Sequence, residues 1–261
     1  MKLFNLNIGI KIDNNKEVID LISKGKYDII TLQESMRKVD TFAFDMYDSS
    51  NIIKNKLNFK NNFFGPVWVA KNHIKNGNIS KDFGGLVEQG NQILTNLPLV
   101  KSRNIFYYKD YSIFEDTTNF RLYDHPRAFT DSLVKINNQE LQIINVHGCW
   151  NKDKKGNDRT QLQTEFILKN IRNDIPCIVV GDFNLLPETD EIKLLSKNLN
   201  NLIAQYNIKS TRPDFDDGLD TGNMVCDYIF VNDKVKVNDF YVLDSSISDH
   251  FPLVLDFDVI N

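Results

Sequence analysis

PCIVVGDFN, residues 176–184, is the stretch that decides the fold. Its apolar run Cys177–Val180 predicts a short buried strand. Asp182 and Asn184 follow at i and i+2, so they point the same way in an extended chain. One side chain can then accept a proton while the other donates to an oxyanion. The plainer interpretation is a tight turn that caps the next helix, because Gly, Asp and Asn favour turns.

A second stretch of the chain has the same plan. Residues 15–34 and residues 160–184 each carry apolar residues at helical spacing, then a breaker, then a short apolar strand. Glu34 follows the first predicted strand, Tyr27–Leu32, as Asp182 follows the second. Ligands gather beyond such strand ends in α/β sheets. The pattern therefore predicts two similar halves that deliver carboxylates to one place.

The remaining elements are less regular. Asn137 and Asn138 predict the turn of a hairpin. Residues 71–90 are rich in Gly and Asn and predict a surface loop, and residues 151–159 predict a charged loop; residues 36–60 show mixed periodicity. A helix is predicted over Thr189–Leu199, and further strands over Gln92–Thr95, Ala128–Ile136, Leu141–Val146, Tyr228–Val231 and Leu253–Phe257.

Composition limits the class of protein. The chain has 261 residues, 41% of them hydrophobic, and no Gly/Ser or Pro linker, which favours one globular domain over residues 1–261. Its net charge of −4 argues against binding nucleic acid by charge alone. Apolar runs are too short for a transmembrane helix. The three cysteines lack disulfide or zinc spacing, so we expect reduced thiols and a cytoplasmic protein.

SDHFPL, residues 248–253, is the second unusual motif. Asp249 and His250 stand together directly before an apolar strand, although entry into a strand rarely needs two ionisable groups. Histidine titrates near neutral pH and can move a proton or pair with a carboxylate. The alternative is a surface turn, which Pro252 makes less favourable by fixing the backbone after the pair.

Four further polar residues stand at predicted strand ends. Asp227 enters the apolar strand CDYIFV and needs a partner, for which His250 is the natural candidate; a structural salt bridge is the alternative. His147 ends INVHGCW, Glu34 ends TLQE, and Asn7 lies in LNIGI. Each signal alone fits a buried histidine, a solvated strand end or a turn. Together, acids, amides and histidines at several strand ends suit a hard cation such as Mg²⁺, with Mn²⁺ as a substitute, better than zinc.

These motifs, in this order and over nearly the whole chain, resemble the endonuclease/exonuclease/phosphatase superfamily, to which deoxyribonuclease I belongs. The resemblance implies a four-layer α/β sandwich, with two mixed β-sheets packed face to face and helices outside. It also implies roles. The metal would be ligated by Glu34, with help from Asn7 and Asp249. The catalytic set would be His147, Asp182, Asn184, Asp227 and His250, with Asp182 on the attacking water and Asn184 on the phosphate.

The substrate stays open at the level of sequence. Arg127, in HPRAF, is a candidate phosphate clamp, although a surface or salt-bridged arginine is the simpler interpretation. Other basic residues that are candidates to face the site are Lys152, Lys154, Lys155 and Arg159. His147 favours the deoxyribonuclease, sphingomyelinase and phosphatase branches of the family, because abasic-site nucleases have a tyrosine near this position. His73 and His125 look like incidental histidines in polar loops. No membrane element is visible.

Three hypotheses follow. The first is a Mg²⁺-dependent phosphodiesterase that acts on nucleic acid, as a nuclease or end-processing enzyme. The second is a phosphatase or sphingomyelinase-like diesterase on a small or lipid head-group ester, which the acidic balance mildly favours. The third is a non-catalytic binding module that retains the fold, against which the complete set of polar positions argues. A monomer is expected.

Overall fold

Two mixed β-sheets form the centre of the protein. The computed structural model describes residues 1–9, 15–75, 78–114, 124–216 and 221–260. In pairing order, the first sheet contains β12 (Val235–Val242), β13 (Leu253–Val259), β1 (Lys2–Asn7), β2 (Ile29–Lys38), β4 (Asn78–Thr95), β3 (Asn61–Lys75) and β6 (Ser112–Phe114). The second sheet contains β10 (Asn200–Asn201), β11 (Asp227–Val231), β9 (Cys177–Asp182), β8 (Gln139–His147), β7 (Arg127–Ile136) and β5 (Leu99–Tyr108).

The helices lie on the outer faces of the sheets. Their bounds are α1 (Asn15–Lys24), α2 (Ser49–Leu57), α3 (Asp158–Asn170), α4 (Asp190–Asn198) and α5 (Leu202–Gln205), and a short 3₁₀ turn covers Asp45–Tyr47. Apolar residues of α1 and α2 pack on the first sheet, while those of α3 and α4 pack on the second. The predicted four-layer α/β sandwich is therefore confirmed.

The two predicted helix–strand units occupy equivalent places in the two sheets. β1, α1 and β2 form one β-α-β unit with parallel strands, and β8, α3 and β9 form the other. Asn157 caps α3, since its side chain accepts from the amides of Arg159 and Thr160. The resemblance between the two stretches of sequence thus reflects a repeated topology, one copy per sheet.

Alternation along β1 shows how the layers are built. Leu3 belongs to the core between the sheets, while Phe4 and Leu6 face the helices. Asn5 and Asn7 share the inner face with Leu3. Polar residues at these positions therefore point into the space between the sheets, towards the edge where the strands end.

A layer of buried amides joins the sheets just below that edge. Gln33 donates to both Asn5, at 2.8 Å, and Asn145 on the opposite sheet. Asn145 in turn donates to the backbone carbonyls of Leu32 and Gln92, each at 3.1 Å. Because buried hydrogen bonds are directional, this layer sets the register of one sheet on the other.

The prediction of a surface loop over residues 71–90 is wrong. β3 and β4 pair there as one long, bulged ladder. Gly and Asn are tolerated because the ladder is interrupted by bulges and the hairpin packs its own apolar side chains. Phe83 and Val87 are fully buried in that cluster, together with Trp68.

The other predicted helices, strands and turns differ less from the observed ones. The strand expected over Tyr27–Leu32 starts at Ile29 and continues to Lys38, so Glu34 lies inside it rather than after it. The hairpin turn at Asn137 and Asn138 is confirmed, with Asn137 at φ 53°. Among the helices of the described residues, none has both the length and the apolar character needed to cross a membrane.

Candidate active site

Three neighbouring strands of the second sheet place three of the predicted site residues side by side. Asp182, the last residue of β9, pairs with His147 on parallel β8 and with Asp227 on antiparallel β11. All three side chains are buried. Strand pairing alone therefore brings together residues that are 35 and 45 positions from Asp182 in the chain.

The backbone around Asp182 explains the sequence Gly-Asp-Phe-Asn. Gly181 has φ 138°, and a Cβ there would overlap the carbonyl oxygen of Val146 on the neighbouring strand. Asn184 adopts the left-handed region at φ 54°, which asparagine tolerates better than most residues. This bend is not a simple helix cap, because it turns the Asn184 amide back onto the Asp182 carboxylate.

Asp182 accepts hydrogen bonds from three donors. Its Oδ2 accepts from Nδ2 of Asn7 at 3.1 Å and from Nδ2 of Asn184 at 3.0 Å, while Oδ1 accepts from the Asn184 backbone amide at 2.8 Å. Burial opposes its ionisation, but the charge of His250, together with those of Lys154 and Arg212, outweighs burial and lowers its pKa. The site thus holds Asp182 as a charged acceptor.

Asp227 and His250 form a buried pair, as the sequence predicts. Nδ1 of His250 lies 2.9 Å from Oδ2 of Asp227, and Thr211 donates to the same oxygen at 2.7 Å. Nε2 of His250 points towards Asp182, 3.8 Å from its Oδ2. Burial disfavours the charged ring, yet the carboxylates of Asp227 and Asp182 dominate and raise the pKa of His250 to about 9. The ring is an imidazolium at neutral pH.

This pair predicts a pH dependence of stability. A histidine whose pKa is raised from about 6.5 to about 9 on folding stabilises the protein fully below pH 6.5, and this contribution is lost as the pH rises through 9. Its upper bound is on the order of 3 kcal/mol. We expect the difference in unfolding free energy between wild type and His250→Gln, measured with urea in EDTA, to shrink between pH 6 and pH 10. A difference that does not change with pH would show that the ring is not charged in the native state.

His147 is the second histidine of the site, and its pKa is shifted in the opposite direction from that of His250. Its burial, followed by the charge of Arg127, lowers its pKa well below the usual value, so the ring is neutral. Nη1 of Arg127 lies 3.1 Å from Nε2 of His147. The interpretation of Arg127 as a surface arginine is therefore wrong, since it is 6% exposed and lies at the site.

Glu34 enters from the first sheet through a β-bulge. The register of β2 on β4 shifts between Leu32 and Ser35, and Glu34 takes the left-handed region at φ 58°. A glutamate in this region is uncommon, and the bulge re-aims its side chain. Its Oε1 lies 3.6 Å from Nε2 of His147 on the opposite sheet, and 20% of the side chain remains exposed. The bulge thus brings a carboxylate of one sheet to the residues of the other.

Asp249 is anchored by an arginine that the sequence did not single out. Arg212, 2% exposed, donates to Oδ2 of Asp249 at 3.0 Å and to its backbone carbonyl at 3.2 Å. Asp249 nevertheless leaves 30% of its side chain exposed. Ser248 ties this loop to β1, because its hydroxyl donates to the backbone carbonyl of Asn7 at 2.7 Å.

The predicted metal ligands fit a hard cation. Burial, followed by the charges of Asp249 and Asp182, raises the pKa of Glu34 to about 7. Carboxylates crowded in this way need a positive partner, and oxygen donors such as Glu34, Asp249 and the Asn7 amide are what Mg²⁺ prefers. Oδ1 of Asn7 already accepts from the Gly9 amide at 3.0 Å, so Asn7 would be a helper rather than a main ligand.

A second group of possible metal donors lies in the same place. One ligand atom from each of Asp182, Asp227 and His250 falls within 4.8 Å of the others. These atoms are engaged with each other, however, because His250 already binds Asp227 and Asp182 accepts from two amides. We therefore interpret this group as a hydrogen-bonded cluster, and Glu34, with 20% of its side chain exposed, as the more accessible carboxylate.

Two further buried side chains of the site are Arg212, which the sequence does not single out, and Lys154, which it offers as one of several basic residues near the site. Lys154 lies in the segment predicted as a charged loop, and it is 1% exposed, with its ammonium 2.8 Å from Oδ1 of Asn184. His125 also differs from expectation, since it is 4% exposed and its ring packs 5.4 Å from that of Trp68. No local sequence signal predicts that such residues are buried, because their partners are distant in the chain.

All eight predicted catalytic and metal-binding residues, together with Arg127, lie around one edge of the sandwich where the two sheets meet. The first sheet contributes Glu34 and Asn7, the second contributes His147, Asp182, Asp227 and Arg127, and the loops supply Asn184, Asp249 and His250. The arrangement joins a buried anionic acceptor, amide donors, an imidazolium and a group of oxygen ligands.

Comparison with known proteins shows the family to which this chain belongs. The model of the Endonuclease/Exonuclease/phosphatase family matches residues 4–250, and the chain belongs to this family. No curated protein sequence matches the chain.

Solved structures share the fold. One is an endonuclease/exonuclease/phosphatase from Beutenbergia cavernae DSM 12333, with TM-score 0.74 and 13% identity over 100% of this chain and 72% of that one. Another is the human Nocturnin catalytic domain with bound sulfate, with TM-score 0.69 and 18% identity over 99% and 93%. A third is the mannosyl-6-phosphatase Bt3783 of Bacteroides thetaiotaomicron VPI-5482, with TM-score 0.65 and 16% identity over 99% of each chain. At these identities the likeness concerns the fold.

Proposed function

We propose that this chain is a phosphoester hydrolase that depends on a divalent metal, Mg²⁺ by preference with Mn²⁺ as a substitute. The observation that carries the proposal is the convergence on Asp182. Amides from Asn7 and Asn184 bind its carboxylate, and the rings of His147 and His250 stand within 4 Å of it. Such a set serves in-line attack of water on phosphorus, which needs positioning and charge neutralisation.

Glu34 and Asp249 would hold the metal, with Asn7 in support. When bound, Mg²⁺ supplies charge neutralisation on the phosphoryl oxygens and helps to orient the reactants. The crowding of carboxylates around Glu34 supports this assignment, since a cation there relieves their repulsion.

Asp182 is the proposed acceptor for the proton of the attacking water. Its lowered pKa keeps it ionised, and its two amide donors fix the direction of its remaining lone pairs. A fixed carboxylate can orient a water molecule for attack without reorganising during the reaction.

The donors to the phosphate would be His250, Asn184 and Arg127. His250 is charged and held by Asp227, so its Nε2–H is directed into the site beside Asp182. Arg127 adds a fixed positive charge next to neutral His147. Donors of this kind stabilise the charge that develops on the phosphoryl oxygens and are each worth about 10²–10³ in rate.

Two substrate classes are candidates. The first is a phosphodiester of nucleic acid, in keeping with the family to which the chain belongs. The second is a small or terminal phosphate ester, which the distribution of charge favours. The chain has net charge −4, and several of its basic residues are already paired with acids, as in Arg37–Glu88, Lys38–Asp45 and Lys109–Asp124. A surface that tracks a nucleic-acid backbone would need several unpaired cations.

A panel of substrates decides between them. Single-stranded and duplex DNA, abasic and end-blocked DNA and RNA form one arm; sugar phosphates, inositol phosphates and sphingomyelin form the other, each with Mg²⁺ and with Mn²⁺. Turnover of the second arm with nucleic acid untouched would support the small-ester reading, and the reverse would support a nuclease. No turnover in either arm contradicts the proposed function. That the protein is cytoplasmic and monomeric stays a prediction.

A further inference from the structure

Lys154 is an unusual lysine, because its whole side chain is enclosed beside the active site. It is 1% exposed, and its backbone takes the left-handed region at φ 55°. Its Nζ lies 2.8 Å from Oδ1 of Asn184 and 5.0 Å from the centre of the Trp150 ring. Removing an ammonium from water is costly unless it is compensated by bonds and nearby charge. A surface lysine would avoid this cost, so the burial of Lys154 calls for an explanation.

The backbone of the loop holds Lys154 in place from both sides. The Leu186 amide donates to the Lys154 carbonyl at 3.0 Å, which ties the loop to the segment just after Asn184. The Lys154 amide donates to the carbonyl of Asn151 at 3.4 Å. The lysine is therefore delivered to Asn184 by a built connection, not by a chance rotamer of a long side chain.

The consequence concerns the two ends of the Asn184 amide. Because the ammonium can only donate, the atom that faces it must be Oδ1. Nδ2 is then directed to the other side, where it lies 3.0 Å from Oδ2 of Asp182. If the amide turned over, its oxygen would face the Asp182 carboxylate and the site would lose a donor. The Asp182 carboxylate and the Gly148 carbonyl, which lies 3.4 Å from Nδ2, favour the same orientation at one end of the amide, and the Lys154 ammonium holds the Oδ1 end.

We propose that Lys154 is a positioning residue of the active site, whose ammonium fixes the Asn184 amide with its NH₂ group directed at Asp182 and the reacting phosphate. This assignment rests on the proposed function for its effect on rate. The contact between Lys154 and Asn184 does not rest on it. The positive charge of Lys154 also helps to keep Asp182 ionised.

The first test is a double-mutant cycle on turnover. Lys154→Met keeps most of the aliphatic stem and removes the charge, and Asn184→Ala removes the amide. We expect Lys154→Met to lower kcat by about 10- to 100-fold with little change in KM, because a misplaced donor acts on the transition state. The double variant should be no slower than Asn184→Ala. Lys169→Met, at an exposed lysine of α3, is the matched control and should behave like the wild type.

Two results would overturn the proposal. One is a wild-type kcat in Lys154→Met. The other is a double variant whose loss is the product of the two single losses, because Lys154 would then act independently of Asn184.

A second variant separates positioning from packing. Lys154→Ala leaves a cavity that propylamine and propanol fill equally well, because both match the three carbons lost beyond Cβ, but only the amine carries a charged donor. We expect propylamine to restore part of the lost kcat at fixed pH and propanol to restore none. Equal recovery with both would assign Lys154 a packing role only, and so would contradict the proposal.

A third measurement needs no turnover. The melting temperature of the Lys154→Met, Asn184→Ala and double variants is compared in EDTA, and the combined shift should be smaller than the sum of the single shifts, since the two side chains share one interaction. Strictly additive shifts would overturn the contact. If the wild type hydrolyses no phosphoester but this coupling is present, the proposed function fails while the Lys154–Asn184 link stands.

Discussion

Asp182→Asn is expected to lower kcat by about 10³-fold or more while leaving the fold intact. The substitution keeps the shape of the side chain and an oxygen that can still accept from Asn7 or Asn184. It removes the negative charge that is needed to take a proton from water and to balance His250. Because the carboxylate stands at the centre of the set, no neighbouring group can replace it.

The measurement is steady-state turnover on the best substrate of the panel, with far-UV circular dichroism as a check on folding. Asp190→Asn is the matched control, since this aspartate is almost fully exposed on α4 and away from the site. We expect the control to retain wild-type kcat. If Asp182→Asn kept more than a tenth of the wild-type rate, the role assigned to Asp182 would be wrong.

Glu34→Gln is expected to raise the half-saturating Mg²⁺ concentration by at least about tenfold, which corresponds to roughly 1.4 kcal/mol of lost metal binding. The substitution removes the proposed main ligand charge and keeps its size. In the absence of metal we expect the substitution to stabilise the fold or to leave its stability unchanged. The raised pKa of Glu34 means that burial and the neighbouring carboxylates disfavour its negative charge when no cation is bound. The variant should therefore melt at an equal or higher temperature than wild type in EDTA.

The same thermal melts then report metal binding directly. A ligand that binds only the folded state raises the melting temperature, so wild type should shift upwards with Mg²⁺ and Glu34→Gln should shift much less. Glu165→Gln, on the exposed face of α3, should shift like the wild type. Identical Mg²⁺ responses in wild type and Glu34→Gln would remove Glu34 from the metal site.

The fold follows from the sequence wherever the periodicity is clear. The two helix–strand units that carry Glu34 and Asp182 have regular apolar spacing, and both form because a helix and a parallel strand bury their apolar faces on one sheet, although the first strand continues beyond Glu34 to Lys38. The long hairpin of β3 and β4 could not be foreseen. Its stability comes from cross-strand pairs and from Phe83 and Val87 packing with Trp68, and such long-range contacts have no local signature.

The same distinction applies to the candidate site: residues beside clear apolar runs are predictable from the sequence, and residues whose burial depends on distant partners are not. His147, Asp182 and Asp227 stand next to apolar runs, so their strand-end positions were visible in the sequence. The burial of Lys154 and Arg212 is not predictable in this way, because a lysine in a charged stretch and an arginine beside a proline look like surface residues until their partners are known. Their burial depends on Asn184 and Asp249, which lie 30 and 37 positions away.

Glu34 is the most instructive intermediate case. The sequence predicts that it follows a strand, whereas the strand runs through it and a bulge turns it towards the other sheet. The sequence identifies the residue as a candidate, but it does not predict the β-bulge that orients its side chain. A left-handed glutamate costs conformational energy, and its persistence at the meeting point of the two sheets agrees with a functional requirement there.

Hydrolysis by the wild-type protein after complete removal of metal tests the central claim most directly. The protein is treated with EDTA, desalted, and assayed on its best phosphoester substrate while Mg²⁺ is added back. We predict no turnover above the Asp182→Asn background without metal, and full recovery on titration with Mg²⁺ or Mn²⁺. An EDTA-treated protein that hydrolyses the substrate as fast as the untreated one, with no response to added metal, would contradict the account of this site as a metal-dependent phosphoesterase.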